Sequence, residues 1–141
     1  MRILLDTNVV LDVLLKREPF YAMGKELLHL ARYAEIEEYV SASAVTDIYY
    51  VAQRTTKEAE VAANLLRQLF SFVGIVKVSD VEIKNALTLA WDDFEDAVQY
   101  SAALSANVDA IITRDQSGYS RAQIPVYTPN AFLMHFQESM E

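Results

Sequence analysis

Short apolar segments alternate with longer stretches of helical periodicity along this chain, and the alternation limits the possible folds more than any other feature. The candidate strands lie at residues 2–6, 38–42, 75–78, 109–113 and 125–127. Strands separated by helices need crossover connections, which favour parallel pairing and a sheet covered on both faces. The sequence therefore predicts a three-layer α/β/α sandwich with a mainly parallel, about five-stranded sheet, formed by residues 1–141 as one domain.

The helical segments are marked by spacing and by capping residues. Apolar residues at helical spacing predict helices over 8–17, 19–34, 43–53, 56–73, 79–90, 92–106 and from 129 onward. Asn8 and Ser43 are expected to cap the first and third of these helices, and Pro129 suits the first position of the last. The helical block 43–72 is also a candidate dimer surface.

Composition excludes several classes of site. The chain has no cysteine, so disulfides, thiolate nucleophiles and cysteine-based metal centres are excluded. His29 and His135 lie far apart, without metal-ligand spacing, and are expected to be structural. No apolar run approaches the length of a membrane span and no signal-peptide pattern is present, so we expect a cytoplasmic protein.

The net charge of −8 argues against simple electrostatic binding of nucleic acid, which depends on lysine and arginine. Divalent cations held by clustered acids can reverse the local field. Whether the chain can bind nucleic acid in this way therefore depends on whether its acidic residues cluster.

Acidic residues return repeatedly to one edge of the predicted sheet. Asp6 follows the first strand and Asp115 follows the fourth, while Asp47 lies in the helix after the second strand. Asp93 and Asp96 open a later helix, with the spacing that places them on one face. Because the carboxyl ends of parallel strands share an edge, and ligands of open α/β sheets bind there, we expect these side chains to converge.

Local explanations compete with this interpretation. A helix cap, a first-turn acid or a turn residue would each account for one of four positions: Asp47, Asp93, Asp96 and Asp115. Asp6 is harder to explain locally, because a carboxylate between an apolar strand and an apolar helix should be partly buried and need a partner. Asp12 is expected to pair with Lys16, four residues later, and to lie outside the site.

Several converging carboxylates repel one another unless a cation lies among them. Oxygen ligands without histidine or cysteine favour Mg²⁺ or Mn²⁺, which bind one or two carboxylates together with water and phosphate. Such a site supports metal-assisted phosphoryl transfer without a side-chain nucleophile. No phosphate-binding glycine loop is present, so a nucleotide cofactor is not expected.

Four segments in order resemble the PIN-domain ribonucleases, and most closely the VapC-type toxins of toxin–antitoxin pairs. The segments read LLDTNVVLDVLL, SASAVTDIYYVA, DFEDAVQYSAAL and DAIITRD, and they span residues 4–115. The resemblance implies an endoribonuclease that depends on Mg²⁺ or Mn²⁺. It matches the family's catalytic, metal-binding acids with Asp6, Asp47, Asp96 and Asp115.

The resemblance also implies supporting roles and partners. Asn8 and Thr113 match polar positions beside the first and last acids, and Asp93 would be an auxiliary acid. Asp47 stands where the family commonly has glutamate, so a water-bridged metal contact is an alternative to direct ligation. Arg114, beside the last acid, is the candidate substrate contact. RNA, an antitoxin protein and a second copy of the chain are the implied partners.

Two other functions stay open at this point. The acidic net charge is compatible with a catalytically silent PIN-like module that binds protein or RNA. A small Mg²⁺-dependent phosphatase is disfavoured, because position 8 is asparagine where a second aspartate would be needed.

Overall fold

The computed structural model describes residues 1–140 and contains one five-stranded, all-parallel sheet. The strands are β1 (Arg2–Leu5), β2 (Glu37–Ser41), β3 (Gly74–Val76), β4 (Ala110–Ile112) and β5 (Val126–Tyr127). Their order across the sheet is β3-β2-β1-β4-β5. The first strand of the chain is thus the central strand, and the predicted parallel three-layer architecture is confirmed.

Seven α-helices cover the sheet within the described residues. They are α1 (Thr7–Leu14), α2 (Tyr21–His29), α3 (Ala42–Thr56), α4 (Ala59–Leu69), α5 (Asp80–Leu89), α6 (Phe94–Ser105) and α7 (Pro129–Met140). Every predicted helix is present, with shifted ends. The second is shorter than predicted, because a 3₁₀ turn at Leu30–Arg32 follows it. No helix in this part of the chain is both long and apolar enough to cross a membrane.

Alternate residues of β1 face two separate cores, as expected for a strand buried on both sides. Ile3 and Leu5 belong to the larger core, with residues of α1, α2, α3 and α7. Leu4 faces the opposite side, where Tyr100 of α6 is among its neighbours. All three β1 residues are fully buried, and burying each such side chain stabilises the fold by about 2 kcal/mol.

The register places the ends of β1 and β4 side by side. Leu5 lies opposite Ile112, and the backbone N–H of Asp6 donates to the carbonyl oxygen of Ile112 at 2.9 Å. The segment after β4, which carries Thr113 and Asp115, is thereby brought to the same edge as Asp6. This pairing joins residues more than 100 positions apart in the sequence.

The caps of two helices differ from the prediction. Asp6, rather than Asn8, caps α1, since its carboxylate accepts from the backbone N–H of Thr7. Ser41, rather than Ser43, stands at the cap position of α3. The amide oxygen of Asn8 accepts instead from the backbone N–H of Arg114 at 3.3 Å, which ties α1 to the loop after β4.

Candidate active site

Asp6 is a buried carboxylate held by three donors. Its side chain is close to fully buried, at 7% exposed. Oδ1 accepts from the backbone N–H of Thr7 at 2.7 Å and from Nε2 of Gln99 at 3.0 Å. Oδ2 accepts from the hydroxyl of Thr113, also at 2.7 Å. The carboxylate therefore has the partners that its burial requires, and its orientation is fixed by α1, by α6 and by the segment after β4.

A cleft of about 270 Å³ opens in front of Asp6. Its walls are formed by Asp6, Thr7, Asn8, Leu11, Arg17, Asp93, Glu95, Asp96 and Asp115. Four of the five acids predicted to converge thus line one cavity, at the edge where the sequence placed them. Asp47 is the exception, since it does not line the cleft.

Asp96 shows the electrostatic consequence of this convergence. Burial, followed by the charges of Asp6 and Asp93, raises the pKa of Asp96 to about 6. The nearby hydroxyl of Tyr119 opposes the shift, although it does not reach hydrogen-bond geometry. The cleft therefore holds more negative charge than its own polar groups compensate.

Glu95 is a cleft residue that sequence reasoning missed. Partial burial, followed by the negative charge of nearby Asp47, raises the pKa of Glu95 to about 7. Asp47, on the exposed side of α3, thus reaches the cluster through Glu95. The available signal was the position of Glu95 in the first turn of α6, next to Asp96, where acids favour the helix N-terminus.

The local roles considered for two acids are also present. Asp93 caps α6 and accepts from the backbone N–H of Asp96 at 3.1 Å. Asp115 accepts from the backbone N–H of Ser117 at 3.2 Å and so shapes the turn after β4. Each residue combines a structural role with a place in the cleft wall, so the two interpretations are not exclusive.

The expected pairing of Asp12 with Lys16 is wrong. α1 ends at Leu14, so the helical spacing on which the pairing depended does not extend to Lys16, which has a left-handed φ of 51°. Asp12 is 2% exposed and pairs with Nε of Arg114 at 2.6 Å, with Arg17 at 3.9 Å. As expected, Asp12 lies outside the cleft wall, but it does so because it forms a buried ion pair with Arg114.

The guanidinium of Arg114 therefore has a structural role in the fold. Its guanidinium contacts both carboxylate oxygens of Asp12 and lies over the ring of Phe20, 3.9 Å from the ring centre. This arrangement anchors the loop after β4 onto α1. A contact between Arg114 and substrate stays a prediction.

The family to which the chain belongs follows from comparison with known sequences. The family model for the PIN domain matches residues 2–117. The chain belongs to the PIN domain family. The match covers β1 to β4 and includes each acid of the cleft. In the comparison with curated proteins, nothing matches.

Solved structures share the fold of this PIN domain. VapBC-1 from nontypeable Haemophilus influenzae has a TM-score of 0.71 and 14% identity, covering 92% of this chain and 99% of that chain. VapBC2 from Rickettsia felis, bound to a promoter DNA fragment, has a TM-score of 0.69 and 18% identity, covering 90% of this chain and 97% of that chain. Mycobacterium tuberculosis VapC20, described as a sarcin–ricin loop cleaving toxin, has a TM-score of 0.67 and 13% identity, covering 84% of this chain and 94% of that chain. At these identities the likeness establishes the fold.

Buried polar atoms without partners surround the acids of this PIN domain. Thr7 Oγ1, Gln99 Oε1 and Tyr119 Oη are buried and make no hydrogen bond within the described residues. Such atoms are costly unless a water or ion completes their bonding. Over residues 1–140, no three acidic or histidine side chains are placed as a ready metal-binding group. The carboxylates of the cleft and these unpartnered polar atoms therefore fit a hydrated divalent cation, held partly by carboxylates and partly through water.

Proposed function

We propose that this PIN domain is a divalent-metal-dependent endoribonuclease, which hydrolyses RNA phosphodiesters with water activated by Mg²⁺ or Mn²⁺. The observation that carries the proposal is the convergence of Asp6, Asp93, Asp96 and Asp115 on one cleft at the carboxyl edge of the sheet. The raised pKa of Asp96 adds support, because a carboxylate among uncompensated negative charges gains most from a cation. An RNA substrate is also consistent with the description of VapC20 as a toxin that cleaves the sarcin–ricin loop.

The roles of the residues follow from their positions. Asp6, Asp96 and Asp115 would hold the cation, and Asp47 would act through Glu95 or through water. A bound divalent cation supplies Lewis acidity and offsets the charge of the phosphodiester. Thr113, which is fully buried, keeps Asp6 in place by donating to its Oδ2. The unpartnered hydroxyls of Thr7 and Tyr119 would bond the water that accompanies the cation.

Partners form part of the same proposal. One solved structure with this fold is a toxin–antitoxin complex from Klebsiella pneumoniae, which supports an antitoxin protein as the partner of this chain. A homodimer through α3 and α4 is the proposed quaternary state, because these packed helices expose the apolar side chains of Tyr50 and Val61. Cleavage of cellular RNA would place the protein in the cytoplasm.

A catalytically silent binding module is the second candidate. The observation that favours it is the lack of a ready three-residue metal group among residues 1–140. Incubating the purified protein with RNA and Mn²⁺, with and without EDTA, separates the two candidates. We expect cleavage that EDTA abolishes and that Mn²⁺ in excess restores, with no hydrolysis of a phosphomonoester. Mn²⁺ binding without cleavage of any RNA tested, or no Mn²⁺ binding, would favour the silent module.

Gly118 offers a direct test of the position of Asp96. A Cβ atom on Gly118 would overlap Oδ2 of Asp96, and no glycine in the described chain has the left-handed conformation that penalises alanine. Gly118→Ala should therefore move the Asp96 carboxylate while leaving the backbone in place. We expect Mn²⁺-dependent cleavage to fall roughly 100-fold, the usual effect of displacing a reacting group by about 1 Å.

The measurement is initial cleavage rate at saturating Mn²⁺, combined with a melting curve. Ser120→Ala, an exposed neighbour in the same loop, is the matched control and should cleave at the wild-type rate. Unchanged activity in Gly118→Ala would show that Asp96 need not hold this position.

A further inference from the structure

Gln99 is an unusual residue for its place in the fold. It lies on the buried side of α6 among small and apolar residues and is 1% exposed. Its Nε2 donates to Oδ1 of Asp6 at 3.0 Å. Glutamine is seldom found fully buried, so its presence in this layer calls for a specific interaction. The carboxylate of Asp6 provides that interaction.

The orientation of the Gln99 amide is dictated by Asp6. An ionised carboxylate only accepts hydrogen bonds, so the NH₂ group must face it and the carbonyl oxygen must point elsewhere. That oxygen, Oε1, is buried without a partner. An apolar side chain of the same length would fill the space without leaving an orphaned acceptor. Gln99 therefore satisfies Asp6 but leaves one buried acceptor unpaired within residues 1–140, and local rules are broken in this way mainly at functional sites.

The hydrogen bonds on Asp6 are distributed unequally between its two oxygens. Oδ1 accepts from two donors, Thr7 N–H and Gln99 Nε2, whereas Oδ2 accepts only from the hydroxyl of Thr113. Each carboxylate oxygen offers about two acceptor sites. Oδ1 is thus filled, and the remaining acceptor site of the carboxylate lies on Oδ2.

We propose that Gln99 is a positioning residue, which fills Oδ1 of Asp6 so that the carboxylate binds a divalent cation through Oδ2 alone. This inference rests on the proposed metal-dependent function. The group acts through Asp6 and does not contact substrate. Residues that orient metal ligands in this way typically contribute 10- to 100-fold to metal affinity.

The test compares Mn²⁺ binding with stability in the absence of metal. Gln99→Leu and Gln99→Met remove the donor and the orphaned acceptor while keeping most of the volume. We expect each variant to bind Mn²⁺ 10- to 100-fold more weakly by titration calorimetry. We also expect a somewhat lower metal-free melting temperature, because each variant removes a donor from the buried Asp6 carboxylate, with the chain still folded at the titration temperature. The Mn²⁺ concentration that gives half-maximal RNA cleavage should rise by the same factor, with the rate at saturating Mn²⁺ largely retained.

Ser101→Ala is the matched control, because Ser101 is a buried polar residue on the same helix that does not hydrogen-bond Asp6. It should bind Mn²⁺ as the wild type does. Wild-type affinity in both Gln99 variants would overturn the inference, and so would an equal loss of affinity in Ser101→Ala. A wild-type protein that binds no Mn²⁺ would instead contradict the proposed function.

Discussion

Replacing Asp6 with asparagine should reduce Mn²⁺-dependent RNA cleavage by roughly two to four orders of magnitude, while the protein stays folded. The change keeps the shape of the side chain and removes its negative charge. The new amide oxygen can still accept from Thr7 N–H and Gln99 Nε2, and its NH₂ group can donate to the Thr113 hydroxyl. The variant should therefore lose activity without losing stability, because only the negative charge of Asp6, at the centre of the acid cleft, is removed.

The measurement is single-turnover cleavage of RNA with Mn²⁺, together with a circular dichroism melting curve. Asp80→Asn is the control, since Asp80 lies on α5, keeps a side chain that is 75% exposed and pairs only with Lys84. It should cleave at the wild-type rate. Full activity in Asp6→Asn would remove Asp6 from the proposed mechanism.

The free energy of unfolding of the wild-type protein should fall markedly from neutral to alkaline pH, and Glu38→Gln should abolish this fall. Glu38 lies on β2, opposite Ile3, and is 2% exposed. Neither of its carboxyl oxygens has a hydrogen-bond partner within residues 1–140. Burial raises the pKa of Glu38 to about 9, so the side chain is a neutral acid in the folded protein at pH 7.

The sign of the effect follows from proton uptake. The pKa of an unperturbed glutamate is 4.5, so between pH 4.5 and about 9 the unfolded chain has lost a proton that the folded chain keeps. The free energy of unfolding consequently falls as pH rises through this interval, by up to about 1.4 kcal/mol per pH unit. Glutamine cannot ionise, so the variant should lose this slope and become more stable than the wild type at pH 8.

Urea denaturation at pH 7, 7.75 and 8.5 would measure the effect. Glu37→Gln is a matched control on the same strand. The pKa of Glu37 is lowered by its hydrogen bonds to Tyr39 and Arg2, so its removal should leave the alkaline loss of stability intact. Because Asp96 and Glu95 titrate below about pH 7, the comparison is clearest above that pH. An unchanged slope in Glu38→Gln would show that Glu38 is ionised or solvated in the fold.

The elements of the fold could be predicted because strands and helices impose different periods on the sequence. The acids at strand ends could also be predicted, since parallel strands bring their carboxyl ends to one edge. Asp6 and Asp115 lie together for that reason, and Asp96 joins them from the first turn of α6. The roles of these residues in metal binding and catalysis stay proposals.

The contacts that could not be predicted join distant segments or depend on where a helix ends. The ion pair of Asp12 and Arg114 spans 102 positions, and no local rule relates them. The donor role of Gln99 depends on which side of α6 packs against Asp6. The isolation of Glu38 likewise depends on which residues surround it in three dimensions.

The central position of β1 has a consequence for synthesis of the protein. β1 is made before its partner β4 and is separated from it by more than 100 residues, since Ile3 lies opposite Ala110. At translation rates of about 5–20 residues per second, Asp6 leaves the ribosome roughly 5–20 seconds before Thr113 and Asp115. Until Thr113 and Asp115 have been made, the nascent chain therefore lacks a complete acid cleft. For a protein that we propose cuts RNA, this delay keeps the growing chain inactive beside the messenger and ribosome that are producing it.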